Sequence, residues 1–323
     1  MRCCVMGGNG FIGRHLVEIL LEEGKTLTVL DRNPLLSGTL PPDARYIVGD
    51  YSDTDFLREV LNDVDEIVDL AYASIPKTSF EDPVKDILNN LPSAVNLFKV
   101  ASALPIRKIV VVSSGGTVYG RASNLPISEG HPTNPISPYG ITKLAVEKYA
   151  NMYYELKGLP VVCVRPANAF GDGQKPFLGQ GFVATAVASA LEGREINIFG
   201  AEGTVRDHIY VKDLARGIAA VLDHCPVGEC YNIGSGIGKN TFEILGLIEK
   251  MAKLRDITLR VKISPSRKYD VPVNILDSSK LVKATGWFPE VSLEKGLEFT
   301  WKYLEECYRK QDGLMAKSGE RFR

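Results

Sequence analysis

Arg2-Cys3-Cys4-Val5-Met6-Gly7-Gly8-Asn9-Gly10-Phe11-Ile12-Gly13 is a short apolar run that stops at a glycine-rich turn, and an amphipathic run, Phe11–Glu23, opens inside that turn. The pattern predicts strand, turn, helix. Glycine lets the backbone turn tightly and approach a pyrophosphate without a Cβ in the way, and the last glycine allows helix and strand to pack closely. The first N–H groups of the helix then face the anion. Gly7, Gly10, Phe11, Ile12 and Gly13 are therefore candidate dinucleotide contacts. Asp31 ends the next apolar run. A carboxylate there accepts hydrogen bonds from an adenosine ribose 2′-hydroxyl and repels a 2′-phosphate, which favours NAD over NADP. Arg32, beside it, pulls the other way, because a guanidinium pairs with phosphate. Asp50 falls by chain order near the adenine edge, with a plain surface turn as the alternative.

The same alternation continues through the first half of the 323-residue chain. Candidate strands are 2–6, 27–30, 45–48, 66–70, 108–112 and 161–164, and helical patterns lie at 11–23, 54–61, 83–103 and 138–157. Near-continuous apolar strands alternating with helices predict an α/β fold, a doubly wound parallel sheet covered on both faces. The second half is less regular. Helices are expected at 182–191, 211–222, 242–253 and 293–308, and short strands at 196–199, 209–211, 230–233 and 258–261. Asn240, with Glu243 three residues on, has the form of a capping box. Residues 310–323 are polar, with two glycines, and are expected to be mobile.

Lys+Arg 38 against Asp+Glu 39 leaves a net charge of −1, which argues against nucleic acid or an anionic membrane as a partner held by bulk charge. No apolar run is long enough to span a bilayer, and the N-terminal run is too short for a secretory signal. The six cysteines and four histidines form neither a disulfide framework nor a metal-ligand pattern. A reducing, cytoplasmic setting and no metal are expected.

Ser137-Pro138-Tyr139-Gly140-Ile141-Thr142-Lys143 reads as a helix start, with Ser137 as N-cap and Pro138 at the first helical position. Tyr139 and Lys143 then share one helix face. A nearby ammonium favours the phenolate and lowers a phenol's pKa from about 10, so the pair can act as a general base near neutral pH. A surface tyrosine over a lysine stem is the competing interpretation. The upstream dinucleotide turn and the Ser113-Ser114 pair after the fifth strand favour catalysis.

Taken together, these motifs resemble the extended short-chain dehydrogenase/reductase family, and most closely its nucleotide-sugar 4-epimerases acting on UDP-glucose or UDP-N-acetylglucosamine. The resemblance covers about residues 2–308. Its carriers are the 7–13 turn, Asp31, Gly49-Asp50, Leu70-Ala71, Asn90, Ser113-Ser114 with Val118-Tyr119-Gly120, Tyr139/Lys143, Arg165-Pro166-Ala167-Asn168, Arg206-Asp207 and Arg267-Lys268-Tyr269-Asp270. The resemblance implies a Rossmann domain over 1–165, to which a segment near 205–235 returns. A smaller C-terminal α/β substrate lobe over 166–309 would follow, with the substrate in the cleft between the two. It implies further NAD contacts at Asp50, Tyr51, Leu70, Ala71, Tyr72, Asn90, Tyr139 and Lys143. Tyr139, its pKa lowered by Lys143 and the nicotinamide charge, would take the proton of the sugar 4-hydroxyl while hydride passes to NAD. A 4-keto sugar would form, turn over and be reduced from its other face. Asn168, Arg206, Arg267 and Asp270 would hold the diphosphate and nucleotide, and Phe199 would pack on the uracil ring. Family members are commonly homodimers, here through 83–103 and 138–157.

Two positions depart from the family pattern. Gly115 stands where many epimerases carry a proton-relay hydroxyl, which Thr117 or Ser114 is expected to supply, with a relay through water or the substrate's own hydroxyls as the alternative. Asn274 stands where a bulky tyrosine confines the pocket to plain hexoses, which leads us to expect acceptance of N-acetylated sugars, unless Asn274 merely faces backbone. Gly116 and Thr117 occupy the places where sister dehydratases carry an Asp-Glu pair and decarboxylases a Glu, so elimination and decarboxylation are disfavoured. The competing functions are an NAD(P)H-dependent 4-ketosugar reductase and a dinucleotide-sensing protein without chemistry.

Overall fold

In the computed structural model the described residues are 1–35, 40–267 and 270–318, with backbone only from 311. The chain runs β1 (Arg2–Met6), α1 (Phe11–Glu22), β2 (Thr26–Asp31), β3 (Arg45–Val48), α2 (Thr54–Leu61), β4 (Glu66–Asp69), α3 (Pro76–Glu81), α4 (Pro83–Ala101), β5 (Lys108–Val112) and α5 (Pro138–Lys157). It continues with β6 (Val161–Pro166), β7 (Asn168–Phe170), α6 (Phe182–Glu192), β8 (Glu195–Phe199), β9 (Val205–Tyr210), α7 (Val211–His224) and β10 (Cys230–Ile233). The last elements are β11 (Gly238–Asn240), α8 (Thr241–Lys253), β12 (Arg260–Ser264), β13 (Val273–Asn274), α9 (Ser279–Thr285) and α10 (Leu293–Ser318).

Seven parallel strands form the main sheet in the order β10-β6-β5-β4-β1-β2-β3. The chain builds outward from β1 to β3, then crosses to the other side of β1 and builds outward again. The crevice between β1 and β4 is the switch point of such a sheet, where ligands bind outside the carboxyl ends of the strands. Alternate residues of each strand enter different cores, which explains the near-continuous apolar runs. Cys3 and Val5 of β1, with Val110 and Val112 of β5, face the core that also holds Leu16 of α1 and Leu214 and Ile218 of α7. Cys4 and Met6, with Ile109 and Val111, face the core that holds Leu57 of α2, Leu97 and Phe98 of α4 and Val146 of α5. Strand β10 lies beside β6, with Cys230 opposite Cys163, and so brings a late segment back to the sheet.

A third core forms the smaller lobe, with Val187 of α6, Ile196 of β8, Ile248 of α8, and Leu297 and Trp301 of α10. Its strands make a two-stranded pair, β12-β8, and a separate sheet around β9. The expected helices and longer strands are present with ends shifted by a few residues, apart from α10, which runs on to Ser318. Part of the expected tail is therefore helical in backbone, and 319–323 lie outside the described residues. The elements that sequence reading missed are α3, β7, β11, β13 and α9, all seven residues or fewer, too short to show a period. The Asn240/Glu243 capping box is formed: Asn240 Oδ1 accepts from Phe242 N at 2.8 Å and Glu243 Oε2 from Asn240 N at 2.8 Å. Among the described residues no helix is long and apolar enough to cross a membrane.

Candidate active site

A cleft of about 860 Å³ opens over the switch point, walled by the 7–14 turn, the ends of β2, β4 and β5, the start of α5, and the β7, β8 and β9 region of the smaller lobe. Its floor is the glycine turn. A Cβ at Gly13 would stand 2.5 Å from the Gly7 carbonyl oxygen and 2.6 Å from Gly8 Cα, so turn and helix meet at a distance that only glycine permits. Gly7 has φ +74° and lies against the Ala71 backbone. Helix α1 starts at Gly10 with no side-chain cap and no acidic residue in its first turn, leaving its leading N–H groups to an anion. Gly7, Gly10, Phe11, Ile12, Gly13, Asp31, Leu70 and Tyr72 line the cleft.

Arg32, Asp50, Tyr51, Ala71 and Asn90, also expected as dinucleotide contacts, are not among the residues that line the cleft. Arg32 turns to Asp50, Nη2 to Oδ1 3.1 Å, and over the Tyr51 ring at 6.0 Å. Asp50 Oδ1 also accepts from Ser52 N at 2.9 Å, and Tyr51 is buried in the sheet's second core. Ala71 packs beneath Gly7. Asn90 is 2% exposed; its Oδ1 accepts from Ala73 N at 2.7 Å and its Nδ2 donates to Ser74 Oγ at 2.8 Å. It fixes the loop after β4 rather than meeting the cleft.

Helix α5 is capped as its sequence requires: Gly140 N donates to Ser137 Oγ at 3.1 Å, with Pro138 at the first position. The start of α5 sets Tyr139 and Lys143 on the cleft wall beside Ser113 and Ser114. Lys143 Nζ donates to the Val112 carbonyl oxygen at 2.8 Å. It lies 3.9 Å from the Tyr72 ring centroid and 5.9 Å from that of Tyr139. The expected lowering of the Tyr139 pKa by Lys143 is not found. Burial, with the Asp86 charge, pushes the Tyr139 phenol up. Burial also lowers Lys143 to about 8, against the opposing pull of Asp69, Glu147 and Asp86. Asp69 itself is raised to about 6 by burial.

The hydroxyl question has a steric answer. A Cβ at Gly115 would meet Leu276 Cδ1 at 2.5 Å and the Arg165 carbonyl oxygen at 2.8 Å, so glycine is what this backbone accommodates. Ser114 lines the cleft, whereas Thr117 does not, and Thr117 Oγ1 is buried without a partner. A Cβ at Gly116 would lie 3.3 Å from Asn168 Oδ1 and 4.0 Å from Ser114 Oγ.

Asn168, Phe199, Arg206, Arg267 and Asp270 come together on the smaller lobe's side of the cleft. Arg206 Nη1 donates to the Val205 carbonyl oxygen at 2.9 Å; burial lowers its pKa while Asp270 opposes this. The Arg267 guanidinium covers one face of Phe199, 3.5 Å from the ring centroid, so that face is taken by a cation rather than open to a base. Lys268 and Tyr269 lie outside the described residues. Asn274 departs from expectation. It is 1% exposed, lies behind the wall and donates from Nδ2 to the Gly115 carbonyl oxygen at 3.0 Å. It faces backbone, because β13 pairs with β9 and carries it inward.

Sequence reading missed Arg14, Gln174, Lys175, Asn197, Thr204 and His208, which also line the cleft. The dense glycines of 171–181 were a signal for Gln174 and Lys175; nothing local marks the others, which depend on how the smaller lobe folds.

Comparison with known proteins agrees with this fold. The family model described as "NAD dependent epimerase/dehydratase family" matches residues 3–234. The putative UDP-glucose 4-epimerase of Methanocaldococcus jannaschii is 32% identical over 310 residues, 94% of this chain and 99% of that protein. The UDP-glucose 4-epimerase of Thermotoga maritima, solved with UDP-glucose, superposes with a TM-score of 0.89 at 31% identity, covering 95% of this chain and 100% of that one. The Thermus thermophilus UDP-glucose 4-epimerase, solved with NAD, gives 0.88 at 32% identity, covering 94% and 99%.

Proposed function

The chain belongs to the NAD-dependent epimerase/dehydratase family, and from that premise we propose that it is a UDP-hexose 4-epimerase working through a transient 4-keto sugar. It is an NAD-dependent enzyme of nucleotide-sugar epimerase/dehydratase chemistry. The observation that carries the finer reading is one cleft joining the glycine turn and Asp31, the Tyr139/Lys143 pair and the guanidiniums of Arg206 and Arg267. The positions at which elimination calls for carboxyl groups hold Gly116 and Thr117.

The residues present fit the cofactor: the uncapped start of α1 receives a diphosphate, and Asp31 at the end of β2 receives ribose hydroxyls. Bound NAD would supply a hydride acceptor and donor for C4 of the hexose and the positive charge of its oxidised nicotinamide. Burial raises the Tyr139 phenol, and cations beside it, Lys143 among them, favour its ionised form. Tyr139 takes the 4-hydroxyl proton and later returns it. Ser114, on the wall where Thr117 is not, is the hydroxyl that bridges to the sugar. Arg206 and Arg267 hold the diphosphate through charge-assisted bonds, with Asn168 and Asp270 beside them. The hexose is gripped less firmly than its nucleotide and turns between the two hydride transfers. The expected acceptance of N-acetylated sugars loses its support from Asn274, which is not among the residues that line the cleft.

Proton NMR of the protein with NAD and UDP-glucose, and separately with UDP-N-acetylglucosamine, tests this. Growth of the galacto-configured anomeric signal is the expected result. No conversion of either, with NAD bound, refutes it and turns attention to 4-ketosugar reduction. We also read α4 and α5 as a homodimer contact. Exposed apolar side chains on both helices, among them Val84, Ile87 and Leu88 of α4 and Ile141, Met152 and Leu156 of α5, support that reading. Sedimentation showing only monomer at micromolar concentration refutes that part.

A further inference from the structure

We propose that Tyr72 is a positioning residue for the catalytic pair, its ring receiving the Lys143 ammonium and bracing the Tyr139 ring, with Asp86 tying its loop to α5. The proposal rests on the reading that Tyr139 and Lys143 move the proton. Among the described residues Lys143 Nζ has one hydrogen-bond acceptor, the Val112 carbonyl oxygen at 2.8 Å, and Lys143 is 6% exposed. The face of Tyr72, 3.9 Å away at its centroid, is the nearer of the two aromatic rings and compensates part of the lost hydration through its quadrupole. The Tyr72 and Tyr139 rings meet edge to face, centroids 4.9 Å apart at 70°, a favourable aromatic geometry.

Asp86 on α4, 2% exposed, holds this arrangement. Its Oδ1 accepts from Ser74 Oγ at 2.6 Å and sits 3.5 Å from the Tyr72 hydroxyl. Its Oδ2 accepts from Thr142 Oγ1 at 2.7 Å. One buried carboxylate thus joins the loop after β4 to the helix that carries Tyr139 and Lys143. The charged groups acting on Lys143 are Asp69 from β4, Asp86 from α4 and Glu147 one turn on along α5. All three raise its pKa against burial, and the Tyr72 ring works in the same direction. Without that ring Lys143 gives up its proton at lower pH, and the Tyr139 phenolate loses a counter-charge.

The test uses NAD-saturated enzyme: wild type, Tyr72→Phe, Tyr72→Leu and Tyr72→Met. The Lys143 midpoint is read from its Cε resonance in ¹³C-lysine-labelled protein, identified by its loss in Lys143→Met. The pH profiles of kcat and KM for UDP-glucose are measured alongside. Tyr72→Phe keeps the ring and leaves the Lys143 midpoint in place. The two aliphatic variants lower the midpoint, and the alkaline limb of kcat, by roughly half to one and a half pH units. In them kcat falls more than KM changes. An aliphatic variant with the wild-type midpoint overturns the proposal, as does a Tyr72→Phe shift equal to that of Tyr72→Leu. The Met variant decides the matter where the Leu variant does not fold. If wild type converts no UDP-hexose, the epimerase reading fails, while the NMR midpoints still decide the role of Tyr72.

Discussion

Replacing Arg165 by Met leaves the Glu147 carboxylate buried without its cation, one turn below Lys143. Arg165 grips Glu147 three times, Nε to Oε1 3.1 Å, Nε to Oε2 3.2 Å and Nη2 to Oε2 2.6 Å, with the two side chains 9% and 7% exposed. Its Nη1 donates to the Tyr119 hydroxyl at 2.9 Å, which in turn donates to Asn232 Oδ1 at 2.7 Å. Breaking a buried pair by removing one partner costs roughly 3–5 kcal/mol, and the lost bond to Tyr119 adds about 1 kcal/mol. Against a typical stability of about 5–15 kcal/mol, Arg165→Met is strongly destabilised. Arg165→Met/Glu147→Leu removes both charges and is expected to recover most of the loss. Urea unfolding of wild type, single and double variants at neutral pH measures this. A single variant costing less than about 1 kcal/mol, or a double variant no more stable than the single, refutes the reasoning.

Gly13→Ala drives a Cβ into the Gly7 carbonyl, and NAD affinity measured by calorimetry is expected to fall by at least about tenfold, since the phosphate turn must open. Ser114→Ala lowers kcat by about tenfold or more, and Thr117→Val leaves it closer to wild type; the reverse order in steady-state assays puts the relay hydroxyl on Thr117. Burial holds His208 at about 4 against 6.5, so the unfolded chain binds more protons between those values. Stability therefore falls as pH drops from 6.5 to 4, by up to about 3 kcal/mol. Asp69, raised to about 6 from 3.8, works the other way, because its stabilising contribution is lost as pH rises through that window. The His208 contribution is accordingly read as the difference between wild type and His208→Gln in urea midpoints across pH 4–7.

Apart from the short α3, residues 2–157 carried their own architecture in the sequence. Every strand there but the edge strand β3 is buried on both faces, the longer helices have an apolar stripe, and the glycine turn and the Ser137-Pro138 start are local devices whose geometry follows from the residues themselves. The same locality made Gly13, Asp31, Tyr139 and Lys143 legible as a site. What tertiary structure decided are matters of distance between segments remote in the chain. Burial beside Asp86 reverses the expected shift of Tyr139. Pairing of β13 with β9 turns Asn274 to the Gly115 backbone instead of the cleft. Leu276 and the Arg165 carbonyl leave no room for a side chain at 115, and Arg32 meets Asp50. Tyr72 could be read as a cofactor contact from its position, but its place over Lys143 depends on β4, α4 and α5 converging. Desolvation and close packing are sums over neighbours, and one-dimensional spacing holds no record of neighbours that only folding brings together.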